Sequence, residues 1–318
     1  MKDSTRVAGV LGVVVALFLV VQVGSLALVE PFKDAGLQST ENPQNPVNSV
    51  LYVAFLLVAT AGILLVIKYD VQWILRAFIL LTSGVIASYV FGAVLPAYVV
   101  GGVNLAAYAP AAVLVLALYA YPEWWVIDSA GAVMGMGAAA LFGISFGILP
   151  ALVLLTALAV YDAISVYGTE HMLTLASGVM ELRLPIVLVV PTTLDYSFRE
   201  EGEETAEVAA DGEREGDAAA DRPAYFIGLG DAVMPSILVA SSEFFLETDV
   251  TVLGAKLPTV TAMVGTLVGL LVLMRMVFKG RAHAGLPLLN GGAILGYLVG
   301  AVAAGIPVVD ALGLAPYV

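Results

Sequence analysis

Two aspartates stand in stretches of chain that hold no other charge. Asp162 lies in Ala157–Gly168, ALAVYDAISVYG, and Asp231 in Tyr225–Ser242, YFIGLGDAVMPSILVASS. An ionisable side chain at the bilayer centre costs at least about 2.5 kcal/mol on the mildest scale, so the two residues call for a common purpose. If both stretches cross a membrane as consecutive antiparallel helices, each carboxyl sits about six residues from the inner end of its run, roughly 9 Å deep at about 1.5 Å per residue. Two carboxylates facing one another at low dielectric do not both ionise, and such a pair shares one proton. That is the requirement of an aspartic protease. The ionised member takes a proton from water, the protonated member polarises the peptide carbonyl, and attack gives a gem-diol with neither metal nor acyl-enzyme. Gly228 and Gly230 precede Asp231 and Pro235 follows it. Glycine admits a second backbone and proline kinks a helix. A helical substrate must unwind before hydrolysis, and polar main chain beside the site is suited to hold the unwound strand by strand addition.

These residues need elements to carry them, and composition says which. The chain is 60% hydrophobic and 12% charged, against about half and about a quarter in soluble domains. Nine runs reach the length of about 20 apolar residues that a spanning helix needs: 7–29, 49–67, 74–95, 103–121, 127–147, 149–167, 224–246, 257–278 and 286–306. The expected fold is an all-α membrane protein of nine transmembrane helices. The first run, Val7–Val29, exceeds the core of about 7–15 residues of a signal peptide and is read as a retained span. Lysine and arginine set the orientation. With the N-terminus cytoplasmic, eleven of the 13 fall inside and only Lys33 and Lys256 outside, which puts the C-terminus outside.

Three parts follow. Residues 1–167 form a six-helix part carrying Asp162. Residues 168–223 form a cytoplasmic loop, amphipathic over 171–190 and then acidic, with ten acids and three arginines in 199–222, a composition that stays disordered. Residues 224–318 form a three-helix part carrying Asp231. Small residues at four-residue spacing, Gly131/Gly135, Gly265/Gly269 and Gly292/Gly296/Gly300, are expected at close helix contacts. Cysteine is absent, and His171 and His283 lie outside the apolar runs, so no metal or cofactor is expected. The net charge of −13 argues against nucleic acid as a partner.

Tyr161-Asp162 in the sixth run and Gly228-Leu229-Gly230-Asp231 in the seventh resemble the two signature motifs of the presenilin and signal peptide peptidase family of intramembrane aspartyl proteases, whose nine-span plan the chain shares. The family's third motif is Pro-Ala-Leu at the start of the last span. Here the stretch is Ala284-Gly285-Leu286, matching only at Leu286, with Pro287 behind it. The resemblance implies a GxGD-type aspartic endopeptidase with Asp162 and Asp231 catalytic and Tyr161 in support. Gly228, Leu229, Gly230, Ala284, Gly285, Leu286 and Pro287 would bind substrate. Its partners would be transmembrane helical substrates and lipid. The inside N-terminus is presenilin-like. The short extramembrane parts are most similar to archaeal presenilin homologues, which implies the cell membrane of a prokaryote and no accessory subunits.

Rival readings are weaker. A proton- or ion-coupled transporter would spread polar residues over several spans, and the other spans here have almost none. Gly143-Ile144-Ser145-Phe146-Gly147 matches a nucleophile elbow, but that motif needs a strand–turn–helix setting and a histidine base, so helix packing is expected there. Glu123, Trp124, Trp125 and Asp128 after Tyr121 read as an interfacial belt.

Overall fold

The structure is a computed structural model that describes residues 2–69, 71–168, 187–193, 195–200, 223–278 and 283–317. His171, the acidic tract at 201–222 and most of the expected amphipathic segment lie outside the described residues.

Helices follow the apolar runs in order: α1 (Lys2–Asp34), α2 (Val47–Lys68), α3 (Gln72–Val94), α4 (Leu105–Ala120), α5 (Trp124–Ser145), α6 (Ile148–Gly168), α7 (Leu229–Phe245), α8 (Leu257–Val277) and α9 (Leu286–Ala303). A short α10 (Val308–Ala311) and a 3-10 turn at Ala315–Tyr317 come last. Among the described residues, seven helices are long and apolar enough to cross a membrane. The other two, α4 and α7, have 16 and 17 residues.

The fold is mostly helical but not wholly so. Two short antiparallel ribbons, β1 (Val99–Val100) with β2 (Val103–Asn104) and β5 (Thr251–Val252) with β6 (Ala255–Lys256), turn the chain between helices. A third ribbon corrects the expectation. β3 (Val187–Pro191) pairs antiparallel with β4 (Ala224–Gly228), in the register Val189 opposite Phe226. Residues 187–190 are thus a strand and not a surface helix, and 224–228 are a strand and not the start of the seventh span. Leu188, Val190, Tyr225 and Ile227 enter the main core on one face of the ribbon, while Val189, Ala224 and Phe226 meet Leu118, Val126, Ile127 and Ala130 on the other. A strand buried on both faces reads as a continuous apolar run, so periodicity cannot separate it from a helix.

The main core gathers Phe18 and Val21 of α1, Leu154 and Leu155 of α6, Ile237 and Leu238 of α7, Leu270 of α8, and Leu289 and Tyr297 of α9. Where lipid replaces water, close packing and not apolar burial holds helices together, and glycines supply it. A β-carbon on Gly265 would collide with the Gly292 carbonyl oxygen, one on Gly269 with that of Leu288, and one on Gly296 with that of Thr261. The α8–α9 seam is therefore backbone on backbone. In α5, Gly135 lies against Val21 and Leu229, and Gly143 against Ala240 of α7. Gly147 meets the Gln44 side chain, and the buried Ser145 hydroxyl accepts the Ser39 N–H at 3.0 Å. The elbow-like motif is packing, as its setting implied.

Candidate active site

Three helices converge on the aspartates: α6 packs against α7 and α9, and α9 packs against α7. Asp162, six residues before the end of α6, is 8% exposed. Its Oδ2 accepts the Leu286 N–H at 3.0 Å, and the Gly285 N–H is turned to the same carboxylate. The first N–H groups of a helix have no partner within it. Asp162 thus caps α9 from a neighbouring helix, where the positive end of the α9 dipole favours its charge.

The same turn reaches Asp231. A β-carbon on Gly285 would lie 3.3 Å from both Asp231 carboxylate oxygens. The Gly285-Leu286 turn thus lies between the two carboxylates. Asp231 is the third residue of α7, so it too lies at a helix N-terminus. Because α7 starts at Leu229, its entry into the site is by strand and not by a buried helical turn. Pro235 inside α7 cannot donate the main-chain bond that the Asp231 carbonyl would otherwise receive.

Other expected site residues divide. Gly228 is exposed, and a β-carbon on it would lie 3.5 Å from Asp231 Oδ2; Gly230 faces open space. Leu229 instead turns into the core against Gly135. Ala284 is buried, and its N–H donates to the Tyr167 hydroxyl at 3.4 Å. Pro287 is the second residue of α9. Tyr161 is 40% exposed.

Sequence reasoning missed Tyr167, Asn290 and Asp128. Asn290 is fully buried one turn into α9, and its Nδ2 donates to the Leu155 carbonyl of α6 at 3.0 Å. An amide in an apolar run was the available signal. Asp128 and Glu123, expected in an interfacial belt, are buried: both are 7% exposed. Asp128 Oδ1 accepts the Val189 N–H of β3 at 2.7 Å, and the Glu123 carboxylate accepts the Ser197 hydroxyl at 2.8 Å and the Phe198 N–H at 3.0 Å. The flanking tryptophans, one of them exposed Trp125, masked them as interfacial.

The ribbon has a defined polarity. Thr192 N–H donates to the Pro223 carbonyl, so Thr192–Pro223 is a bonded pair. Antiparallel pairs alternate between bonded and non-bonded. Val189–Phe226 is therefore a non-bonded pair, and the Val189 N–H faces the outer edge of β3, where Asp128 takes it. By the same alternation, the N–H groups of Ala224, Phe226 and Gly228 face the outer edge of β4, which runs straight to Asp231.

Relatives fit this geometry. The sequence model of the family described as signal-peptide peptidase, presenilin aspartyl protease matches residues 15–306. A presenilin family intramembrane aspartate protease solved in space group C222 is 35% identical, with a TM-score of 0.65, over 92% of this chain and 99% of that one. A structure of a presenilin family intramembrane aspartate protease in space group P2 is 36% identical, with a TM-score of 0.61, over 91% of this chain and 96% of that one. No curated protein matches. Nothing here favours the transporter alternative. The chain belongs to the signal-peptide peptidase and presenilin family and is an intramembrane aspartyl protease.

Proposed function

We propose that Asp162 and Asp231 are the catalytic pair and that they hydrolyse peptide bonds inside transmembrane segments of membrane proteins. The observation that carries this is the single turn Gly285-Leu286, which touches both carboxylates. With one proton on the pair, one carboxylate deprotonates a water and the other donates to the scissile carbonyl oxygen; the gem-diol then collapses with a proton passed to the leaving nitrogen. The unwound substrate adds as a strand along the outer edge of β4, paired to the main chain of Ala224, Phe226 and Gly228. The strand so placed runs past Gly228 and Gly230 to Asp231. Gly285, Leu286 and Pro287 flank it from α9.

The wider reading goes with it. Nine helices span the membrane, α4 and α7 included, because both lie among longer spans and lack charge apart from Asp231 and Glu243. The N-terminus is cytoplasmic and the C-terminus external, in the cell membrane of a prokaryote, with 1–167 and 224–318 as the two membrane parts and 168–223 as the cytoplasmic connection. Lipid surrounds the bundle, and neither accessory subunits nor nucleic acid take part.

The test is cleavage of a synthetic transmembrane peptide in lipid vesicles, with products read by mass. Asp162→Asn and Asp231→Asn should each abolish cleavage in folded protein; full activity in either variant would overturn the dyad. Phe226→Pro removes a donor only from the outer edge of β4, and edge positions tolerate proline. It should raise KM well above that of Phe226→Ala, and equal KM values would overturn strand addition.

A further inference from the structure

Most β-hairpins owe their register to a short turn. The ribbon beside this active site has none, since 32 residues, 192–223, separate β3 from β4. A run as uniformly apolar as Val187-Leu188-Val189-Val190 has no polar face to forbid a slip against β4. Something else fixes it. The only polar side chain seen to bond the main chain of β3, among the described residues, is the buried carboxylate of Asp128, which takes the outward N–H of Val189 at 2.7 Å. Five residues earlier, at the N-cap of the same helix, Glu123 takes the Phe198 N–H and the Ser197 hydroxyl. The chain that carries β3 is thus gripped at two points by α5, and Pro191, lacking an N–H, leaves no further outward donor at its end.

We infer that Asp128 is a positioning residue: it sets the register of β3 on β4 and so stiffens the edge on which substrate is captured. This rests on the strand-addition reading above. In a three-stranded arrangement β4 is the middle strand, with β3 on one side and substrate on the other. Loosening β3 weakens the platform for substrate without touching Asp162, Asp231 or the first turn of α9. The signature is a change in KM and not in kcat, whereas a merely structural role would lower the active fraction and leave KM alone. Asp128→Asn keeps an acceptor in place, and Asp128→Leu removes it.

The chain has no cysteine, which permits a reversible control. Val189 and Phe226 form a non-bonded antiparallel pair, whose Cα spacing of about 4.5 Å lies within disulfide range. In Val189→Cys/Phe226→Cys protein the oxidised form fixes the register covalently, and reduction releases it. Asp128→Leu should raise KM about tenfold, the effect of one well-made bond, with kcat within about twofold. Asp128→Asn should match wild type. On the oxidised cysteine background Asp128→Leu should be silent, and reduction should restore its effect. A wild-type KM for folded Asp128→Leu, an Asn variant as impaired as the Leu variant, or a defect that persists after oxidation would each overturn the inference. So would failure of the oxidised Asp128→Leu protein to fold, since its register no longer depends on Asp128. If Phe226→Pro leaves KM at the Phe226→Ala value, strand addition itself is wrong. If Phe226→Pro raises KM and Asp128→Leu does not, only the role of Asp128 falls.

Discussion

Replacing Asn290 by leucine should separate stability from catalysis. The side chain is fully buried, its Nδ2 bonds the Leu155 carbonyl at 3.0 Å, and its Oδ1 has no partner among the described residues. Leucine has a similar volume. The substitution gives up one hydrogen bond, about 0.5–1.5 kcal/mol, and relieves an unsatisfied buried acceptor that costs about 1–3 kcal/mol. Stability should hold or rise by about 1 kcal/mol. Activity should move the other way. Asn290 lies four residues from Leu286, about 6 Å along α9, and its bond to Leu155 is the polar tie between α9 and α6 one turn beyond the Leu286–Asp162 bond. A slide of about 1 Å would open the 3.0 Å bond from Leu286 to Asp162 to about 4 Å, where no hydrogen bond remains. A bond to a charged acceptor contributes about 1.5–3 kcal/mol, so kcat should fall roughly tenfold to a hundredfold. Thermal melting in lipid and cleavage of a transmembrane peptide measure the two effects on one preparation. Full activity in Asn290→Leu, or a stability loss above about 2 kcal/mol, would refute the argument.

Three further outcomes are expected. Gly285→Ala writes the family's middle residue into this chain; the backbone there is already helical, with φ −79° and ψ −46°, and the new methyl meets the Asp231 carboxylate at 3.3 Å, so cleavage should persist, whereas the branched side chain of Gly285→Val should abolish it. Gly265→Val drives a side chain into the Gly292 carbonyl and should lower the melting temperature sharply, by the roughly 1–3 kcal/mol of an overpacked contact or more; a neutral effect would mean that α8 and α9 do not touch there. The rate should follow a bell against pH, because the pair needs one proton: the acid limb marks both carboxyls protonated and the alkaline limb neither. A profile that climbs steadily with no alkaline fall would argue against a shared proton.

The helices were legible because a spanning helix must be apolar throughout, and each run announced itself without help from its neighbours. Asp162 and Asp231 were legible for the opposite reason, as charges against that background. What the sequence hid was whatever depends on contact between distant segments. Val187–Pro191 and Ala224–Gly228 form strands by pairing with one another, and burial on both faces erases the alternation that marks a strand. The position expected along the helix is found for Asp162, which lies six residues before the end of α6, whereas Asp231 heads its helix. Asp128 looked interfacial beside two tryptophans, and only the Val189 N–H, sixty-one residues away, gives it a purpose. Leu229 matched a motif, yet its direction is set by the turn of α7, which points it at Gly135.

The glycine seam between α8 and α9 divides the molecule for anyone who would re-engineer it. Along that seam there is no side chain to exchange, because main-chain atoms of one helix already occupy the place where a β-carbon of the other would go. Library diversity spent there yields only misassembled protein. On α2, by contrast, Leu51, Phe55 and Val58 are among the most exposed apolar residues of the chain, and α2 packs directly against α6, the helix of Asp162. Diversity is tolerated on that outward face of α2, with the α8–α9 seam left as a fixed jig that holds the Gly285-Leu286 turn.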